Sequence, residues 1–190
     1  MRHLAAFAPA CLVVAMVTAC ASAPSQFYVL TSTAAPAALV SSVSISVGPV
    51  SVPTVVDRPQ IVLNTAANQL QMDESKRWAS PLADNITRVV VANLVRELGT
   101  ARVWAYGQTT SSSVDYQVLI DVQRFDSVLD ESVEIDVLWT VRPAGGGAAK
   151  SGRSLVREAT AGSGFDALVA AHSRALARVS ADIAVVIRTS

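Results

Sequence analysis

VDYQVLIDVQRFDSVLDESVEIDVLWTVR, residues 114–142, decides how the chain is read. Val114, Tyr116, Val118, Ile120 and Val122 fall at every second position, with Asp115, Gln117, Asp121 and Gln123 between them. Val133, Ile135, Val137, Trp139 and Val141 repeat the pattern. Successive side chains of a strand point to opposite faces, so an apolar period of two marks a sheet with one face buried. Two such runs joined by DSVLDE, residues 126–131, predict a long antiparallel hairpin. Leu119 and Leu138 interrupt the polar face of each arm and mark where a second element touches.

Strands extend on both sides of this hairpin. RVWAY (102–106) precedes it, and RSLVREAT (153–160) returns after the loop PAGGGAAKSG. Near the start, VSISVGPV (43–50) alternates Val43, Ile45 and Val47 with Ser44, Ser46 and Gly48. Pro49 and Pro53 lack the N–H that a central strand donates, and are expected to end it. QIVLNT and QLQMDE then read as a second hairpin around Ala67-Asn68.

Two segments carry the helical period instead. Over 78–99, Leu82, Ile86, Val89, Val90, Leu94 and Leu98 form one apolar face, with Ser80 expected as cap, Pro81 at the first helical position and Gly99 at the stop. Over 165–188, Phe165, Leu168, Val169, His172, Leu176, Val179, Ile183 and Val186 form another, with Arg174 and Arg178 set off it. Two long amphipathic helices and a strand-rich middle give an α/β sandwich with a mixed, largely antiparallel sheet, in one domain over 43–190.

The N-terminal part answers a different question. Met1-Arg2-His3 leads into the apolar run Leu4–Val17, too short to span a bilayer and interrupted by Pro9, and small residues follow. Residues 1–19 therefore read as a signal peptide. Val17-Thr18-Ala19-Cys20 resembles the lipobox of bacterial lipoproteins, which implies diacylglycerol on Cys20, cleavage before it and acylation of the new amine, palmitate being a typical chain. Cys11, the other cysteine, would leave with the signal and could not pair with Cys20. Residues 20–42, mostly Ala, Ser, Thr and Pro, read as a lipidated cysteine and tether, with FYVLT (27–31) docking on the domain. Ala21 after the cysteine implies, by likeness to enterobacterial lipoproteins, export to the outer membrane.

Composition excludes several classes. The chain has 15 basic and 15 acidic residues, 14 and 15 without Arg2, so no basic footprint for nucleic acid exists. His172 is the only histidine after the signal, which leaves neither a zinc ligand set nor a convincing triad, and no cofactor is expected. GGGAAKS (145–151) resembles a phosphate loop but has Ala149 where glycine is required, and a strand follows it. Asp57, Arg58, Arg77 and Trp78 are the candidates for partner contact, set against the plainer reading of solvated turns and a packed indole.

Three stretches together carry a family resemblance: FYVL (27–30), VGPVSVPTVVDRPQIV (47–62) and RWASPLADNITRVVVANL (77–94). They resemble the PqiC/YmbA-type ABC-transport auxiliary lipoproteins. The resemblance implies a three-layer α/β/α-like fold with a mixed sheet. It also implies a periplasm-facing, outer-membrane-anchored lipoprotein that is no enzyme but an auxiliary to lipid transport between membranes. The partners so implied are the membrane, an MCE-domain protein and inner-membrane ABC and permease components. One small domain cannot encircle a lipid conduit, so a homo-oligomer is a further expectation. The rival reading is an anchored scaffold or assembly lipoprotein unrelated to lipid transfer.

Overall fold

The computed structural model describes residues 24–38, 40–108 and 114–189. Cys20 and the signal segment lie outside the described residues.

The decisive hairpin forms as its alternation predicts. β6 (Tyr116–Val128) and β7 (Ser132–Pro143) pair antiparallel along their length, and Val118, Ile120, Val137 and Val141 are buried on one face. The connection is tighter than the six residues expected, because β6 runs on to Val128. A register shift between Val122 and Arg124 explains how. This bulge inserts one residue, so the buried phase passes from Val118, Ile120 and Val122 to Phe125 and Ser127.

β8 (Lys150–Ala159) adds antiparallel to β7, confirming GGGAAKS as a hairpin loop. At the crossing Trp139 lies over Gly152, where an added Cβ would come within 2.3 Å of the indole. The indole Nε1 donates to Ser154 Oγ at 3.0 Å, and that hydroxyl donates to Asp182 Oδ2 at 2.5 Å.

β2 (Ile45–Ser51) lies parallel to β6 on its other side, and β5 (Val103–Ala105) parallel to β2, giving a mixed sheet in the order β5-β2-β6-β7-β8. Pro49 does not end β2 as expected. It sits in an irregularity between Val47 and Val50, where no ladder N–H is required of it. Gly48 before it, at φ 120°, lies so close to Tyr106 that a Cβ would come within 3.1 Å of that side chain's Cβ.

A second, three-stranded sheet has the order β1-β4-β3, from β1 (Gln26–Tyr28), β3 (Gln60–Ala66) and β4 (Gln69–Trp78). β3 and β4 are the expected hairpin around Ala67-Asn68, and β1 joins β4 in parallel. Trp78 is therefore the end of a strand, not the start of the helix.

Helix α1 (Leu82–Leu98) begins one residue later than expected. Pro81 itself, extended at φ −46° and ψ 139°, occupies the cap position, and Ser80 makes no capping hydrogen bond. Gly99 terminates the helix in the left-handed conformation, as its position predicts. Helix α2 (Gly164–Arg188) buries the expected stripe, Leu168, Val169, His172, Leu176, Val179 and Ile183. The buried residues Ile45 and Val47 of β2 align with Tyr116 and Val118, and through them with Pro143 and Val141, so they share one sheet face. Both helices pack against that face, α1 over β2 and β5 and α2 over β7 and β8. The product is the expected α/β sandwich. The opposite face carries no helix among the described residues and shows Leu138 and Leu155 to solvent.

Candidate docking site at the small sheet

The N-terminal segment is not free up to residue 42. From Leu30 onward it is bound as a strap to α1 and α2. The Leu30 amide donates to Asn85 Oδ1 (3.1 Å), and the Thr31 amide to Ser173 Oγ (3.1 Å). Ser32 Oγ donates to Asn93 Oδ1 at 2.7 Å, and Arg96 Nε donates to the Ala34 carbonyl at 2.6 Å. The amides of Ala37 and Ser41 reach the last carbonyls of α1. Buried polar groups need partners, and the strap supplies them to Asn85, Asn93 and Ser173, each at most 1% exposed. The tether expected over 20–42 is shortened accordingly.

The strap fixes β1, and β1 fixes the small sheet. Tyr28 and Trp78 are direct neighbours across β1 and β4 and face inward with Ile61 and Leu63. Trp78 also meets Phe125 edge-on at 6.2 Å. The neighbouring positions make the outward face. Phe27 pairs with Arg77 and Arg77 with Gln60; past a register shift Met72 lies opposite the buried Val62, and Leu70 opposite Asn64, whose Oδ1 accepts the Ser127 amide at 3.0 Å. Phe27 is 64% exposed, Leu70 44% and Met72 43%, large apolar groups that a folded chain rarely leaves together in water.

The four residues expected at a partner contact are partly brought together. Asp57, Arg58 and Trp78, with Pro59, Ser80 and Pro81, line an open cleft of about 300 Å³. Trp78 is only 5% exposed, so its main contribution is to the core. Arg77 lies on the outward face of the sheet instead, beside Phe27. Arg58 belongs to both places: it lines the cleft, and its Nη1 sits 2.8 Å from the Met72 sulfur. The Nε groups of Arg58 and Arg77 are both enclosed without an acceptor among the described residues. The acidic neighbours are engaged, Glu74 by Gln60 Nε2 at 2.8 Å and Asp73 by the amide and hydroxyl of Ser75. Those hydrogen bonds hold the Asp73 carboxyl below its ordinary range. Phe27, Leu70 and Met72 escaped the sequence reading, because a face is recognisable only once the register of β1 and β3 on β4 is known.

His172 is equally legible once packed. It is fully buried, stacked on Phe125 at 4.0 Å and 2°, with Nε2 2.8 Å from Ser127 Oγ. Burial pushes its pKa down to about 3, so the ring is neutral at neutral pH. Nδ1 has no partner among the described residues, so none of their carboxylates orients it as a triad requires. This serine–histidine pair closes a core and has no access to substrate.

The model of the family described as ABC-type transport auxiliary lipoprotein component matches residues 28–184, nearly the whole described body. The chain belongs to this family. The match begins at Tyr28, so it takes in the strap as well as the sheets and helices. No curated protein sequence matches the chain. Among solved structures, a protein of Xanthomonas campestris from the DUF330 family shares 22% identity and superposes with a TM-score of 0.68, over 84% of this chain and 92% of that one. A crystal structure of an uncharacterized protein gives 22% identity and a TM-score of 0.70, over 86% and 99%. These likenesses establish the fold. Family membership gives the chain an auxiliary part in ABC-type transport and associates it with the cell envelope. No described helix is long and apolar enough to cross a membrane.

Proposed function

We propose that this family member is an outer-membrane lipoprotein, held by acyl chains on Cys20 with its body in the periplasm. There it serves as a non-catalytic docking subunit for an ABC/MCE-type system that moves lipid between the two membranes. The observation that carries the reading is the family match over 28–184 immediately downstream of the lipobox-like Val17-Thr18-Ala19-Cys20. Several acyl chains on one residue give stable anchoring, since each buried CH₂ contributes about 0.8 kcal/mol. Exposing lipid tails to water costs about the same per CH₂, so an apolar conduit must be held against its destination membrane. An anchored domain with a contact surface beside the membrane meets that need without breaking a bond.

Asp57 and Arg58, which line the cleft with Trp78, are assigned to the protein partner, and Arg77 stands apart from them on the small sheet. Crosslinking in cells followed by copurification tests the assignment. MCE-domain and permease components should accompany the wild-type chain, and Asp57→Ala with Arg58→Ala should lose them without lowering the melting temperature by more than a few degrees. Recovery of cell-wall proteins alone would favour the scaffold reading. Cys20→Ser should release the protein from the membrane fraction.

A further inference from the structure

We infer that the exposed surface of the small sheet, built on Phe27, Leu70 and Met72 with Arg77, rests on the phospholipid surface that holds the anchor. The inference builds on the proposed acylation of Cys20. Only five residues lie between Cys20 and Gln26, the first residue of β1, and even fully extended the six steps reach no more than about 22 Å. The strap leaves no further slack, since it is bound to the helices from Leu30 onward. The small sheet is therefore the part of the body that the anchor holds nearest to lipid.

The chemistry of the face matches what lies there. Phe27, the second residue of that first strand, is 64% exposed, and Leu70 and Met72, farther along the β3–β4 hairpin, are 44% and 43% exposed. Apolar side chains of this kind sink roughly 5–10 Å into the boundary between headgroups and acyl chains. Arg77, whose Nε is enclosed with no acceptor among the described residues, can direct its remaining donors at phosphate oxygens, for which a guanidinium fork is well shaped. Glu74 and Asp73, hydrogen-bonded by Gln60 and Ser75, lie beside it, so the apolar side chains carry the contact. A tethered face also works at high effective concentration, so it needs only to orient the body.

The test uses the full lipidated chain in phosphatidylethanolamine–phosphatidylglycerol vesicles. A nitroxide is attached through Met72→Cys or, as control, through Leu155→Cys on the open face of the large sheet. Collision rates with oxygen and with a water-soluble nickel chelate are read, and the acyl state is checked by intact mass on the same sample. The oxygen-to-nickel ratio should be several-fold higher at position 72 than at 155, and Phe27→Ser should lower it. Equal ratios at the two positions on acylated protein overturn this inference and leave the anchor standing. Protein without acyl chains refutes the anchor and this inference together. A label at 72 that becomes immobile without lipid as protein concentration rises assigns the face to a second copy and likewise overturns it.

Discussion

Replacing His172 with Phe should weaken the pH dependence of stability, so that the variant overtakes the wild-type chain in acid. The imidazole is held neutral, with its pKa pushed from 6.5 down to about 3 by burial alone. A group whose pKa is lowered on folding takes up protons preferentially in the unfolded chain once the pH drops below its unfolded value. Stability from this site is therefore complete above pH 6.5 and drains away as the pH falls from 6.5 towards 3. At about 1.4 kcal/mol per pH unit, the loss between pH 6.5 and 4.5 is about 3 kcal/mol. His172→Phe keeps a ring against Phe125 but leaves the Ser127 hydroxyl unpaired, a cost of about 2 kcal/mol at neutral pH. The two stability curves should then cross near pH 5, the variant being the more stable below it. Asp73, Asp115 and Asp136, held low by hydrogen bonds from Ser75, Ser44 and Arg153, lose their contributions below the ordinary carboxylate range, in both proteins alike. Urea unfolding of a chain starting at Ala21, followed by tryptophan fluorescence at half-unit pH steps, reads the difference. Parallel curves from pH 7 to 4.5 would refute the buried neutral ring.

Gly152→Ala forces a methyl into the indole of Trp139 and should destabilise the fold by about 1–3 kcal/mol in the same urea assay, because that contact holds the edge strand β8 against β7. Asn85→Ala removes the acceptor of the Leu30 amide and of Arg88 Nη2. Hydrogen exchange over residues 30–37 should accelerate much more than exchange in β7, showing that the strap opens locally before the body unfolds.

The sheet was legible because its arithmetic is local: Val133 to Val141 reveal their buried face without reference to the rest of the chain. The same arithmetic misplaced the end of β6, since a bulge after Val122 shifts the period by one and makes FDSV look like a turn. Pro49 misled for a related reason: an irregular position spares a proline that a regular ladder would exclude. Asn85, Asn93, Ser173 and Ser180 lie outside the apolar period of either helix, yet all four are buried. Their partners include the strap, as many as 142 residues away, and Asn93 and Ser180 bridge α1 to α2 at 3.2 Å. No helical period encodes a groove made by two helices and filled by a distant segment. Of the candidate site, Asp57, Arg58, Arg77 and Trp78 could be singled out from sequence, whereas their division between a cleft and a sheet face depends on register alone.

The strap has a mechanical consequence. A pull applied to the chain ahead of β1 enters through Gln26 and loads first the three-residue pairing of β1 with β4. Beyond it the strain meets the ties at Leu30, Thr31 and Ala34, each made to a different turn of α1 or α2. Tension on the leash is thus shared between both helices instead of peeling away one strand, and the body can be tugged sideways in the envelope while its large sheet keeps its shape.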